Sequence, residues 1–278
     1  MIATSHDPRI DLACQVLGEV QSVPDPQLPP RVVRVTNADG RHYFVKRHTD
    51  RDRYARELHA YRTWGEHLRG HAPELIGRQN ASCTILLTAL AGSRGDTTPP
   101  DSPDEEKDHY EAGRLLGVLH RATKMPKGGA VGANLAQKLR GWTELAFQSE
   151  LITRAERSTL DQHAVVLDSS RMDSAVCHLD YQPRNWMVGD VFGVFDFEHM
   201  RRDARIRDFA RLEFRRWQAA PRLRTAFFAG YGQRLNGTEQ RLMNSFGAIE
   251  AATALVKGHN ENDPTLLTHG RAVLARLA

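Results

Sequence analysis

At 278 residues, with 40% hydrophobic and 26% charged residues, the chain is long enough for one large domain or two modest lobes and must bury a real core. No apolar run approaches 18 residues, and the opening Met1-Ile-Ala-Thr-Ser-His-Asp-Pro8 lacks the basic-then-apolar pattern of a signal peptide, so a membrane span is excluded and a cytoplasmic location is expected. The formal charge of +4 is small for this length, Cys14, Cys83 and Cys177 are too far apart for a local zinc site or a dense disulfide framework, and none of the thirteen histidines forms a metal-binding cluster in sequence.

Taken in chain order, Arg31 to Thr36 and His42 to Lys46 are short β-branched and aromatic runs on either side of Asn37-Ala-Asp-Gly40, which predicts a hairpin. After Thr49 the spacing of Tyr54, Leu58, Tyr61 and Leu68 predicts a helix. Cys83 to Leu90 reads as another strand, broken by Ala91-Gly-Ser-Arg-Gly95, with a hinge beginning near Thr88. A Thr-, Pro- and Asp-rich loop follows. Ser102 then caps a helix to about His120, with Pro103 at its first position and Glu105 placed for the reciprocal cap.

Met125 to Gly132 interrupts helicity. Helices are expected at Ala133 to Gln148, Glu150 to Asp168, Arg207 to Arg216, Arg222 to Leu235, Ala248 to Val256 and Thr268 to Leu277. Between the second and third of these lie short strands at Ala175 to Cys177, Trp186 to Val188 and Val191 to Phe195, enclosing a polar loop of the kind that serves a site. Nine arginines fall between Arg201 and Arg224, interrupted by Asp203, Asp208 and Glu213. They read either as a solvated helix laced with ion pairs or as a surface for an anionic substrate, and no nucleic-acid motif accompanies them, so no nucleic-acid partner is expected.

The polar loop reads His178-Leu-Asp180-Tyr-Gln-Pro-Arg-Asn185, followed by Asp196-Phe-Glu198. This resembles the catalytic loop and metal-binding segment of the aminoglycoside phosphotransferase and choline kinase superfamily, related to protein kinases. Leu179 and Arg184 stand where that pattern has glycines, Gln182 where it often has His, and Glu198 where protein kinases have the glycine of Asp-Phe-Gly. Upstream, Tyr43-Phe-Val-Lys46 resembles the strand that places a phosphate-contacting lysine, and Arg56-Glu57 the helix carrying its acidic partner.

The resemblance implies a bilobal α+β, protein-kinase-like fold, with a nucleotide-binding lobe at residues 1–90 and a larger, mainly helical catalytic and substrate-binding lobe at residues 91–278. It implies Mg-ATP as the phosphoryl source. Asp180 would orient an acceptor hydroxyl and take its proton late in transfer, while Asn185 and Asp196 would hold Mg2+ through hard oxygens. Lys46, directed by Glu57, would bridge ATP phosphates, and adenine would pack near the backbone of Thr88, Ala89 and Leu90. His178 would buttress the loop and Asp208 would satisfy backbone amides. Leu17-Gly-Glu-Val20, with its single glycine, is the candidate for the start of the phosphate-covering turn, and no Walker A motif is present.

The implied activity is O-phosphorylation of a hydroxyl-bearing small molecule, foremost an antibiotic such as an aminoglycoside, nucleoside or other natural product. A choline-like or sugar kinase and a catalytically silent kinase-like binding protein are the alternatives; a homodimer is left open. From Asp196 onward there are nine acids against fourteen bases, a balance unfavourable to a polycationic aminoglycoside, although Glu198 and Asp203 could form a local acidic pocket for substrate.

Overall fold

The computed structural model describes residues 7–128 and 130–277. Met1 to His6, on which the leader-peptide expectation rests, Gly129 in the predicted helix break, and Ala278 lie outside the described residues. In chain order the elements begin with α1 (Pro8–Leu17), β1 (Val20–Val23), β2 (Val32–Asn37), β3 (His42–Arg47), α2 (Arg51–Thr63), β4 (Leu75–Gln79), β5 (Thr84–Thr88) and β6 (Ser93–Arg94). They continue with α3 (Pro103–Ala122), β7 (Met125–Gly128), α4 (Ala130–Gln148), α5 (Arg154–Asp168), β8 (Met172–Cys177), β9 (Trp186–Val188) and β10 (Gly193–Val194). The last are β11 (Arg201–Ala204), α6 (Arg207–Leu212), α7 (Pro221–Tyr231), α8 (Gly237–Asn260) and α9 (Pro264–Ala275). The fold is therefore α+β and bilobal, strand-rich at the amino-terminal end and mainly helical from α3 onward. Packing divides the chain into two compact units, one running to Thr98 and reclaiming Pro183–Arg201, the other formed by Pro99–Gln182 and the chain from Arg202.

In the first unit the antiparallel sheet has the order β1-β2-β3-β5-β4. The β2/β3 hairpin forms as expected: Gly40, at φ +76°, donates its N–H to the Asn37 carbonyl, and the Asn37 side chain accepts from Arg41 N at 3.0 Å. Successive strand residues face opposite sides. Tyr43 and Val45 therefore join Leu12, Ala13, Val35 and Leu86 in a buried core under α1, and Lys46 between Val45 and Arg47 turns to the other face. Burying each of Leu12 and Leu86 contributes roughly 1.5–3 kcal/mol. On that other side α2 is started by Asp50, whose carboxylate accepts from Asp52 N and Arg53 N. A second small sheet, β10-β9-β6, lies in the same unit; β6 occupies the stretch expected only to break the preceding strand.

In the second unit Ser102 caps α3 by accepting from Glu105 N at 3.2 Å. The reciprocal half is displaced by one residue: the Glu105 carboxylate accepts from Asp101 N at 2.8 Å, where Asp101 holds φ +62°. Helices α3 and α7 approach to backbone contact. A Cβ on Gly113 would lie 2.0 Å from the Phe227 carbonyl oxygen, and one on Gly230 would lie 1.9 Å from that of Tyr110, so only glycine fits at either crossing point. Phe209, Trp217, Phe227, Phe228 and Tyr231 close the core beside them. The helix beginning at Arg207 does not run uniformly to Arg216, because Glu213–Trp217 widens into a π turn.

The arginine run is laced with ion pairs, but most of its carboxylate partners come from outside the run. Arg205 pairs with Glu239, Arg215 with Glu250 at 2.6 Å, Arg216 with Glu105 at 2.7 Å and Arg222 with Asp101 at 2.6 Å. Arg207 with Asp203 (2.5 Å) and Arg224 with Glu213 (2.9 Å) are the local pairs.

His109, buried in α3, gives this unit an acid-sensitive point. Burial drives its imidazole down to about 4 from an ordinary 6.5, against the opposing pull of the Glu105 carbonyl, to which Nδ1 donates at 2.8 Å. The folded pKa lies below the unfolded one, so the neutral ring's contribution is whole above pH 6.5 and drains away as pH falls toward 4. That loss is expected to reach about 3 kcal/mol. Urea unfolding of wild type and His109→Gln at pH 7 and pH 4.5 checks it: wild type should lose more stability between the two, and parallel losses would refute the assignment.

Candidate active site

The face of β3 opposite the core presents Lys46, which is only 5% exposed. A buried ammonium must be paired, and three carboxylates meet it. Glu57, one turn and a half into α2 and fully buried, lies 2.8 Å from Nζ. Asp196 pairs with the same nitrogen, and Glu198 stands 3.2 Å away. His48, the next inward residue of the chain after β3, places Nε2 2.7 Å from the Glu57 carboxylate. Burial alone would pull Lys46 below its ordinary range; Glu57, Asp196 and Glu198 outweigh it and hold the amine firmly protonated.

Asp196 sits at φ +68°, in the left-handed region, and this turn aims its carboxylate while Phe197 packs on Tyr61 of α2 with ring centroids 4.9 Å apart. Partial burial pushes the Asp196 carboxyl up, but Lys46 and Arg31 bring it below its ordinary value. Burial likewise opposes ionisation of Glu198, and Lys46 with Arg31 lowers it to about 2. Asn185 belongs to the same unit, in the 3-10 turn that also accommodates Arg184, and its backbone carbonyl accepts from Phe195 N at 3.1 Å. The first unit therefore brings together Lys46, Glu57, Asp196 and Glu198 and ties the segment of Asn185 to that of Asp196.

Thr88 is the last residue of β5, and Ala89 and Leu90 follow it. Thr88 exchanges bonds with Glu74, donating its N–H to the Glu74 carbonyl (3.0 Å) and accepting from Glu74 N through its hydroxyl (2.8 Å), and Ala89 N donates to the His42 carbonyl at 3.2 Å.

Asp180 lies in the second unit, just past β8. Its loop is fixed by Asp208, whose carboxylate accepts from His178 N at 2.9 Å and Leu179 N at 2.6 Å while lying 3.0 Å from His120 Nε2. These bonds hold Leu179 at φ +64°, a conformation costing a non-glycine residue of order 1–3 kcal/mol, at the position where the resembling pattern has glycine. Asp180 N donates to His178 Nδ1 at 3.3 Å, and Tyr181 anchors the loop to the Ala112 carbonyl at 2.7 Å. The Asp180 carboxylate accepts from Gln182 Nε2 at 2.6 Å and pairs with Arg211. Arg215 links Gln182 (3.5 Å) to Glu250, which also meets His269 at 3.1 Å. Asp203 is taken up by Arg207 and by Ala204 N.

Arg31 and Arg53 stand within the first of these groups and were not picked out by the sequence; Arg211, in the second, was visible only as one of the arginine run. Arg31 reaches Glu198 at 2.5 Å and Arg53 reaches it at 3.5 Å. Their contacts span 145 residues or more of chain, so only Glu198, a charged residue where a glycine is usual, hinted that cations would be needed nearby.

A five-stranded sheet presenting a lysine to a helical glutamate, with a returning Asp-Phe segment, defines a protein-kinase-like phosphotransferase fold. The chain belongs to the aminoglycoside phosphotransferase and choline kinase superfamily: the family model described as Phosphotransferase enzyme family matches residues 19–243. Among solved structures it is similar to a macrolide 2'-phosphotransferase of type I, at 18% identity over 96% of this chain and 95% of that one, with a TM-score of 0.62. It is also similar to a choline/ethanolamine kinase family protein from Mesorhizobium loti (15%, 97% and 92%, TM-score 0.67). A third is wild-type aminoglycoside 2'-phosphotransferase-IIIa in its GDP complex (14%, 96% of each chain, TM-score 0.67). At these identities the likeness concerns the fold. No curated protein sequence matches significantly. The superfamily's chemistry is ATP-dependent phosphoryl transfer, typically with Mg2+. Among the described residues no helix is long and apolar enough to cross a membrane.

Proposed function

We propose that the protein transfers the terminal phosphoryl group of ATP to a hydroxyl of a small natural product of the antibiotic type, acting in the cytoplasm. The observation that carries this reading is the buried Lys46 held between Glu57 and the Asp196 carboxylate, a phosphate grip built beside an oxygen donor for metal. Residues 1–90 serve as the nucleotide-binding lobe and residues 91–278 as the catalytic and acceptor-binding lobe, with adenine against the backbone of Thr88 to Leu90.

In this reading Lys46 neutralises the nucleotide phosphates and Glu57, packed against His48, sets the direction of the ammonium. Asp180 accepts a hydrogen bond from the acceptor hydroxyl and takes its proton late in transfer; Gln182 restrains the carboxylate's rotation. Asp208 positions the loop through its two amide bonds and touches no reacting atom. The donor set of Asn185 and Asp196 suits magnesium, being hard, oxygen-based and kept ionised at Asp196 by Lys46 and Arg31. When bound, the ion supplies positive charge against the phosphate oxygens.

Arg211 and Arg215, which meet Asp180 and Gln182, favour a neutral or anionic acceptor such as a macrolide or nucleoside over a polycationic aminoglycoside or choline. A neutral sugar remains compatible with the same cations and is the second reading. The test is an acceptor panel under identical Mg-ATP conditions, read by mass spectrometry for an added phosphoryl group. Products are expected among macrolides, nucleosides and sugars. Phosphorylation confined to aminoglycosides or choline would reverse the acceptor assignment, and ATP binding without any product would point to a binding protein.

A further inference from the structure

In kinase-like nucleotide lobes a glycine-rich turn between the first two strands covers the phosphates with backbone N–H groups. The corresponding connection here, between β1 and β2, is Pro24-Asp-Pro-Gln-Leu-Pro-Pro-Arg31. It contains no glycine, and four of its eight residues are prolines without an N–H. Gln27 and Leu28 spend theirs on Asp25, the first on its side chain at 3.1 Å and the second on its carbonyl at 3.1 Å. The Pro30 carbonyl is held by Arg9 at 2.5 Å, so the connection is also anchored away from free rearrangement. Four missing and two engaged N–H groups leave such a segment few backbone donors for a phosphate.

At its end, however, stands Arg31. Its carbonyl accepts from Arg47 N (2.9 Å), which fixes its backbone beside the strand of Lys46, and its side chain remains one-third exposed. Nη1 lies 2.5 Å from Glu198 Oε2 and Nη2 lies 4.0 Å from Asp196 Oδ2, so the guanidinium shares the carboxylates that surround Lys46. Glu198 brings an additional negative charge to that place, which a polyanion would meet unless a cation offsets it. A planar guanidinium with five donors can keep one edge on Glu198 and offer another to phosphate, which a lysine cannot do.

Resting on the ATP-dependent reading above, we propose that Arg31 is a nucleotide-binding residue that contacts the polyphosphate directly, replacing the backbone donors which the proline-rich connection lacks, with Glu198 as the tether that orients it.

The experiment is titration calorimetry of the full chain with ATP, ADP and adenosine, using wild type, Arg31→Met, Glu198→Gln and the double variant. Arg31→Met should weaken ATP and ADP roughly tenfold to a hundredfold and leave adenosine unchanged. The double variant should stay weak, because removing the repelling carboxylate does not restore the lost donors. Wild-type ATP affinity in Arg31→Met, or full recovery in the double variant, would overturn the proposal while leaving the function intact; recovery would mean that Arg31 only cancels Glu198. A wild type that binds neither ATP nor ADP would overturn both. Should Arg31→Met fail to fold, Arg31→Lys keeps the charge opposite Glu198 without the fork: weaker ATP binding supports direct contact, and unchanged binding refutes it.

Discussion

Asp180→Asn is expected to cut phosphoryl transfer by roughly a hundredfold to ten-thousandfold while ATP affinity stays within about twofold of wild type, the range that a positioned general base commands. The carboxamide has nearly the shape of the carboxylate and can still accept a hydrogen bond, so what it loses is the capacity to receive the acceptor's proton. The substitution has a second consequence. Arg211 is mostly buried, and burial already lowers its pKa against the pull of Glu250, so the substitution removes one of the negative charges that offset its burial. With Glu250 still offsetting the Arg211 charge and the side chain partly exposed, the cost falls short of that for a fully buried pair, and a modest fall in melting temperature is expected alongside the kinetic loss. Arg211→Met separates the two, since it removes the pair and leaves the base. Single-turnover rates on the folded fraction of each variant, with ATP affinity measured in parallel, decide the matter. A transfer rate in Asp180→Asn within tenfold of wild type, once folding is accounted for, would remove Asp180 from the chemistry.

Much of the first lobe was legible because its signals are local. The β-branched and aromatic runs either side of the turn chemistry of Asn37 to Gly40 fixed the hairpin, and the helical spacing after Thr49 carried Glu57. What could be read of Lys46, Glu57 and Asp196 as one group came from the resemblance, since 150 residues separate Lys46 from Asp196 and no periodicity links them. Short or mixed elements escaped. β4, Leu75–Gln79, contains glycine and a bulge, and α1 buries only Leu12 and Ala13 along ten residues. Only Ala248 to Val256, in the second half of α8, was expected to be helical, although the helix runs from Gly237 to Asn260. It is buried nearly all round with Ser245, Gly247 and Gly258 inside, so it shows no apolar stripe. The Asn236 and Glu239 capping box was the available signal for its start. The arginine run illustrates the remaining gap: its charge was plain, but Asp180, Glu250 and Glu105 as partners are facts of tertiary packing.

Asp196→Asn is expected to lower transfer by roughly a hundredfold to a thousandfold at fixed Mg2+, the scale for losing one preorganised charge opposite a transferring phosphoryl group. The substitution should be gentle on folding. Lys46 keeps Glu57 at 2.8 Å and Glu198 at 3.2 Å, so its ammonium stays paired, and the Phe197 ring that anchors the segment on Tyr61 is untouched. Lys46→Met, in contrast, would leave Glu57 and Glu198 facing one another around a vacated cation, and its loss of activity would be mixed with loss of structure. The informative quantity is therefore the Mg2+ concentration for half-maximal transfer. A carboxylate that binds magnesium makes this rise on replacement by a neutral amide, and excess Mg2+ recovers part of the rate. If Asp196 served only to hold Lys46, the half-maximal Mg2+ would not move and the deficit would appear instead in ATP affinity measured without metal. That pattern would take the metal-binding role away from Asp196 and leave it as a partner of the lysine.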